Sequence, residues 1–159
     1  MPVNPDEFRA ALSRFPSGIT IVTSIDSSGV PHGITVSAFC SVSLEPPLIL
    51  VCIERTTGSH GALLETGRFA VNVLAAGHDE ISETFSLTHI DKFEGVKCRE
   101  GLGGVPVLDD ALVALECKLF SSFDGGDHTI FVGEVEDVTI RDGAPLVYFH
   151  GGYRDLLDL

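Results

Sequence analysis

The run HGITVSAFCSVSLEPPL, residues 32–48, places Thr35, Ser37, Ser41 and Ser43 at one parity and Ile34, Val36, Ala38, Cys40, Val42 and Leu44 at the other. Period two puts the two sets on opposite faces of a strand. The apolar face predicts a core contact. The other face is a row of hydroxyls interrupted by Phe39, with no charge before Glu45. Hydroxyls both donate and accept, so such a row suits the phosphate and carbonyl oxygens of a ligand. The plainer alternative is a half-buried strand whose polar face meets water. Against it, 21% of the chain is charged, and a solvated face normally carries some Lys, Glu or Arg.

Two further residues stand out by context. Asn72 sits among apolar neighbours in FAVNVL. A buried amide must be hydrogen-bonded, which leaves two roles open: fastening a neighbouring strand or touching a ligand. His128 follows Asp124-Gly125-Gly126-Asp127, a turn that presents its ring at a hairpin end, with Asp127 either orienting the ring or serving the turn. No GxGxxG opens a helix, and no Walker loop, HExxH or GxSxG occurs. Gly101-Leu102-Gly103-Gly104 lacks a βαβ context. The histidines are scattered, and Cys40, Cys52, Cys98 and Cys117 form neither CxxC nor a Cys–His cluster, so no metal site is expected.

The 159 residues predict one domain over 1–159 with a real core, since 44% are apolar. Lys plus Arg number 10 against 23 Asp plus Glu, a formal net charge of −13, which argues against phosphate-mediated nucleic-acid binding and against an anionic membrane surface. The start, MPVNPDEFRAAL, resembles a capped helix rather than a signal segment, and no apolar run approaches membrane-spanning length. Buried free thiols in a reducing cytoplasm fit best.

Elements that would position these residues can be placed along the chain. Asn4 caps a helix with Pro5 at its first position and Glu7 completing a capping box; Phe8, Leu12 and Phe15 make its core stripe, ended by Pro16. Residues 18–25 form a strand, Asp26-Ser27-Ser28-Gly29 a hairpin turn, and the opening run the return strand. LILVCI, 48–53, predicts a strand buried on both faces. A short helix spans 59–66, capped by Ser59 and stopped by Gly67. A strand follows at 69–74, then a helix at 78–87 with Ile81 and Phe85 inward. Residues 91–110 form a long loop. Strands at 112–123 and 128–140 make a long hairpin, and PLVYF, 145–149, is the last strand. About seven strands in hairpin order, without alternating βα units, predict a mainly β, small antiparallel barrel with three peripheral helices.

GITIVTS…GVPHGITVSAFCSVSLEPPLILVCIE resembles the opening of the short-chain flavin reductases, and FAVNVL, DKFEGV, LECKLF, GGDHTIFVGEVEDV and PLVYFHGGYRDL continue the resemblance in order, over roughly residues 8–156. The resemblance implies a Greek-key-like, FMN-binding split barrel. It also implies a homodimer and an NAD(P)H:flavin oxidoreductase, in many members the supplier of reduced flavin to a separate monooxygenase. FMN or FAD would be the flavin and NADH or NADPH the co-substrate.

By the same resemblance, Thr35, Val36, Ser37 and Ala38 would lie along the isoalloxazine and ribityl chain, with Ser41 further on. The segment Glu54-Arg55-Thr56-Thr57-Gly58-Ser59-His60 would hold the phosphate end, Arg55, Ser59 and His60 included; a helix start capped there would favour an anion. An ordinary charged turn is the alternative. Asn72 is a possible flavin contact. His128 would stand where nicotinamide stacks, positioning it, and Tyr153 and Arg154 match the Gly-Tyr-Arg segment near the dimer and flavin site. Cys40 and the glycine-rich stretch after Arg55 depart from the family pattern. The rival functions are a non-catalytic flavin carrier or sensor on the same barrel, and a related oxidase acting on an organic substrate.

Overall fold

A computed structural model describes residues 1–156. In chain order the elements are α1 (Pro5–Leu12), β1 (Ser17–Gly18), β2 (Thr20–Ile25), β3 (Pro31–Val36), β4 (Phe39–Ser43), β5 (Leu48–Glu54), α2 (Gly58–Thr66) and β6 (Arg68–Val73). Then come α3 (Asp79–Ser86), β7 (Cys98–Glu100), β8 (Pro106–Leu108), β9 (Val113–Gly125), β10 (His128–Ile140), β11 (Val147–Phe149) and β12 (Gly152–Arg154). Seven strands form one antiparallel sheet in the order β3-β2-β6-β9-β10-β5-β4, as the hairpin-rich sequence predicts.

β3 and β4 are consecutive in the chain yet lie at opposite ends of that sheet, joined only through Ser37 and Ala38. Three Cα–Cα steps of 3.8 Å span at most ~11 Å, so the two sheet edges must come together at this corner. The sheet therefore rolls up into a split barrel whose edges approach without pairing into a closed ring. Ala38 O accepts from Cys52 N at 3.0 Å and Ser37 O from Phe39 N at 2.9 Å, which turns the chain from one edge to the other.

That corner corrects the single-strand reading of 32–44. Val36 packs in the core, but Ala38, Cys40, Val42 and Leu44 are exposed. β4 is an edge strand with β5 as its one neighbour, and the alternation of residue type persists where nothing covers its apolar parity. β5 is buried more strongly on one face: Val51 and Ile53 are sealed, whereas Leu50 and Cys52 are only half-buried.

The core joins residues of several strands, including Val22, Val36, Val51, Ile53, Phe69, Val71 and Phe131, with Leu63 of α2 plugging one side. A second cluster packs Phe85 of α3 against Ile19, Ile21, Leu74 and Leu146. α1 starts as predicted: Asn4 Oδ1 accepts from Asp6 N and Glu7 N, and Glu7 Oε2 accepts from Asn4 N. Its stripe is not core, however, since Phe8, Leu12 and Phe15 are 55%, 53% and 75% exposed. The cap of α2 is Thr57 rather than Ser59, two residues earlier, and Gly67 ends the helix at φ 63° as expected. The 91–110 stretch is not all loop, because β7 and β8 pair and bury Val107 and Leu108. β12 pairs with β11 beyond the strand expected to be last.

Candidate functional site

Residues 30–34 of β3 and its approach, 54 and 56–59 after β5, and 86–93 after α3 enclose a groove of ≈ 900 Å³. The start of α2 contributes to its lining. The first N–H groups of a helix have no intrahelical partner; Thr57 Oγ1 takes only that of His60, at 3.3 Å. Ser59 lies in the same turn, is 5% exposed and lines the groove. A hydroxyl in a groove wall can donate to or accept from a ligand oxygen.

The lining also includes the apolar residues Ile34, Leu87, Ile90 and Phe93. Phe93 stands edge-on to Phe85 at 5.1 Å. Gly33 is required here: a Cβ would meet Phe85 Cε1 at 2.5 Å and Phe93 Cζ at 3.2 Å. Lys92 Nζ donates to Gly33 O at 2.9 Å and Phe85 O at 3.0 Å, leaving one donor of three, and burial pushes its pKa down. His32 faces the groove beside Gly58, its Nε2 3.0 Å from Asp26 Oδ2. That bond is the main reason the Asp26 carboxyl sits below its ordinary range.

His128 opens β10 at the tip of the long hairpin, paired with Gly125 and with Glu54. Its Nδ1 lies 2.7 Å from Asp127 Oδ1, and this bond depresses the Asp127 pKa. The ring is partly exposed, so one nitrogen is oriented and the other is available. Arg55 turns away from the groove: Nε donates to His128 O at 3.3 Å, Nη2 pairs with the Asp124 carboxylate, and the Arg55 amide donates to Asp127 O at 3.1 Å. His60 Nε2 lies 2.8 Å from Thr129 Oγ1, and its ring packs on Phe131 at 5.3 Å. Burial, then the Arg55 charge, push the His60 pKa down.

A groove lined by a helix start and by several apolar side chains has room for a nucleotide with a planar ring system. Residues 12–157 match the flavin reductase like domain. The chain belongs to that family. It is 41% identical over 149 residues to the actinorhodin polyketide dimerase of Streptomyces coelicolor, covering 93% of this chain and 84% of that protein. It is 40% identical over 155 residues to the reductase subunit of a flavin-dependent monooxygenase of Rhodococcus jostii, covering 97% of this chain and 79% of the other. The solved NADH:FAD oxidoreductase of Streptomyces globisporus C-1027, in complex with NAD and FAD fragments, superposes with TM-score 0.91 at 34% identity, over 99% of this chain and 97% of that one.

Within this flavin reductase fold the predicted site residues fall into separate groups. Ser59 alone lines the groove; His60 stands directly behind it, and Arg55 joins His128 at the hairpin tip. Thr35 and Tyr153 meet on α3: Thr35 Oγ1 donates to Ser82 O at 2.6 Å and Tyr153 Oη to Ser82 Oγ at 3.0 Å. Val36 is core, while Ser37 and Ala38 form the exposed corner and Ser41 is exposed on β4. Arg154 is exposed and donates to the carbonyl of its neighbour Tyr153. Asn72 is fully buried, its Nδ2 donating to Ile21 O and Thr23 Oγ1 and its Oδ1 accepting from Leu108 N, so it fastens strands.

Sequence reasoning missed His32, Lys92 and the apolar wall of residues 87–93. Lys92 and Phe93 were visible only as part of the DKFEGV resemblance, without a role attached. A second, smaller cavity of ≈ 160 Å³ between Leu74, Ile81, Val96 and Leu108 is too small for a dinucleotide.

Proposed function

We infer that this chain is an NAD(P)H:flavin oxidoreductase that reduces FMN or FAD with NADH or NADPH and passes the reduced flavin to a separate monooxygenase. The observation that carries the reading is the groove itself, lined by Ser59 at the start of α2, by Lys92 and by the apolar side chains Ile34, Leu87, Ile90 and Phe93. When bound, the flavin accepts at N5 the hydride that leaves the nicotinamide C4. The protein's task is to hold the two rings close and to keep water out.

The roles divide by chemistry. Ser59 and the first amides of α2 receive the phosphate, with Lys92 adding a cation beside the ring-binding wall. Ser37, Ala38 and Ser41, exposed at the barrel edge outside the groove lining, meet the flavin there as the family resemblance implies, with Val36 behind them in the core. His128, oriented by Asp127, positions the nicotinamide carboxamide. His60 supports the α2 start from behind, and Tyr153 with Thr35 holds α3 in place. Arg154 lies next to Tyr153 at the sheet edge.

The same reading includes a homodimer, because α1 leaves Phe8, Leu12 and Phe15 more than half exposed and a two-fold pairing is the commonest way to cover such a face. It takes residues 1–159 as one domain. It also places the protein in a reducing cytoplasm, in keeping with four free thiols. No helix among the described residues is long and apolar enough to cross a membrane.

The test is anaerobic mixing with NADH or NADPH and either FMN or FAD, following loss of oxidised-flavin absorbance. Bleaching at catalytic enzyme levels is expected, and His128→Ala should slow it by on the order of 100-fold with little change in flavin affinity. Flavin binding without bleaching would make the protein a carrier or sensor.

A further inference from the structure

Arg55 makes three contacts, and all of them go to the tip of the β9–β10 hairpin. Its amide donates to Asp127 O at 3.1 Å, its Nε to His128 O at 3.3 Å, and its Nη2 pairs with Asp124. The residues that follow it form the groove wall. Thr57 N and Oγ1 both donate to Glu54 O, at 3.3 and 2.8 Å, and Thr56 Oγ1 donates to Glu54 Oε1 at 2.8 Å. The turn 54–57 is thus locked on itself, with Arg55 projecting from its back.

We propose that Arg55 is a positioning residue that clamps the hairpin carrying His128 to the phosphate-binding wall of the groove, so that one rigid piece sets the spacing between the two cofactors. The proposal rests on the reading of His128 given above. It departs from the sequence expectation that Arg55 holds the phosphate.

The hairpin tip needs such a device. β10 pairs with β5 only as far as His128↔Glu54, and the chain then turns through Gly126 at φ 77°. Past that point one backbone bond remains, Arg55 N to Asp127 O at 3.1 Å, so a side-chain tie is what holds the tip against fraying. A bare ion pair would not do this. The Arg55 and Asp124 side chains are 44% and 82% exposed, and exposed pairs contribute little on their own. What arginine adds is shape: its planar fork meets a carbonyl through Nε and a carboxylate through Nη2 at the same time, which lysine cannot do. The His60–Thr129 bond at 2.8 Å fastens the same two segments one residue further in.

The experiment compares Arg55→Gln, Arg55→Lys, Asp124→Asn and His128→Ala, with FMN and with riboflavin, which lacks the phosphate. Binding is read by fluorescence titration, flavin reduction by stopped flow and folding by melting curves. A clamp predicts that Arg55→Gln slows reduction by about tenfold or more while shifting both flavin affinities by less than about twofold. Arg55→Lys should restore little of the rate, because charge alone is not the function. Combining Arg55→Gln with His128→Ala should cost less than the product of the single effects, since both act through one group. Asp124→Asn should slow reduction in the same direction, and it carries the test if Arg55→Gln does not fold. Loss of FMN affinity with unchanged riboflavin affinity would make Arg55 a phosphate ligand and overturn the proposal. So would a wild-type reduction rate in Arg55→Gln when His128→Ala is slow. A wild-type rate in His128→Ala would instead remove the reading of His128 on which the clamp depends.

Discussion

Asn72 Oδ1 accepts a hydrogen bond from the Leu108 amide at 2.9 Å, and its Nδ2 donates to Ile21 O at 2.9 Å and Thr23 Oγ1 at 3.1 Å. One side chain thereby ties β6 to β2 on one side and to β8 on the other. Asn72→Ala takes a partner from the buried Leu108 amide and from Ile21 O, while the Thr23 hydroxyl keeps its bond to Pro106 O, and each unsatisfied group costs about 1–3 kcal/mol. The variant should lose at least about 2 kcal/mol in urea unfolding. Flavin affinity of the folded fraction should be unchanged, and a selective loss of flavin binding would return Asn72 to the site.

Ser59 lines the groove at the start of α2, where its hydroxyl can meet a phosphate oxygen. Ser59→Ala should weaken FMN binding by about tenfold, the value of a hydrogen bond to a charged group, and leave riboflavin binding as it was. Equal affinities for FMN in the two proteins would show that the hydroxyl contacts only water.

The depressed His60 pKa gives stability a pH dependence of known sign. In the unfolded chain this histidine titrates near its ordinary value, 6.5, and in the folded protein burial and Arg55 push it lower. Between those two values the unfolded state binds more protons, so stability falls as the pH drops below 6.5 and levels off once the folded value is passed. His60→Gln should flatten that part of the profile in denaturant titrations run from pH 7.5 downward. An unaltered slope would mean that another group carries it.

Cysteine reactivity should divide sharply. Cys117 is buried beside Phe69 of β6, and burial pushes its thiol up to about 12, so it holds almost no thiolate at neutral pH. Cys40 is exposed on the β4 edge. An aromatic disulfide reagent should label Cys40 first, and Cys117 only after unfolding. Mass spectrometry of the labelled peptides decides the order.

The exposed face of α1 predicts how the protein behaves in solution. Phe8 and Leu12 lie one turn apart on this helix, which buries none of its own residues in the single chain. The wild type should sediment as a dimer at micromolar concentration, and Phe8→Glu with Leu12→Glu should shift it to the monomer. A wild-type protein that sediments only as a monomer would defeat the dimer assignment.

What the sequence determined by itself was local in origin. The start of α1 followed from Asn4, Pro5 and Glu7, the end of α2 from Gly67, and the long hairpin from two β-rich runs around Asp124-Gly125-Gly126-Asp127. Caps, turns and strand parity depend on residues within a few positions of one another, so they are written in the chain. The tertiary structure alone decided which face each parity meets. The alternation from 32 to 44 is unbroken, yet Val36 enters the core and Val42 does not, because the chain crosses between two sheet edges at Ser37 and Ala38. Asn72 found its partners 51, 49 and 36 residues away, and Arg55 reached a carbonyl 73 residues on. Those meetings follow from how a rolled sheet brings its strands and loops together, and no period or motif in one stretch of chain encodes what a distant stretch will place beside it.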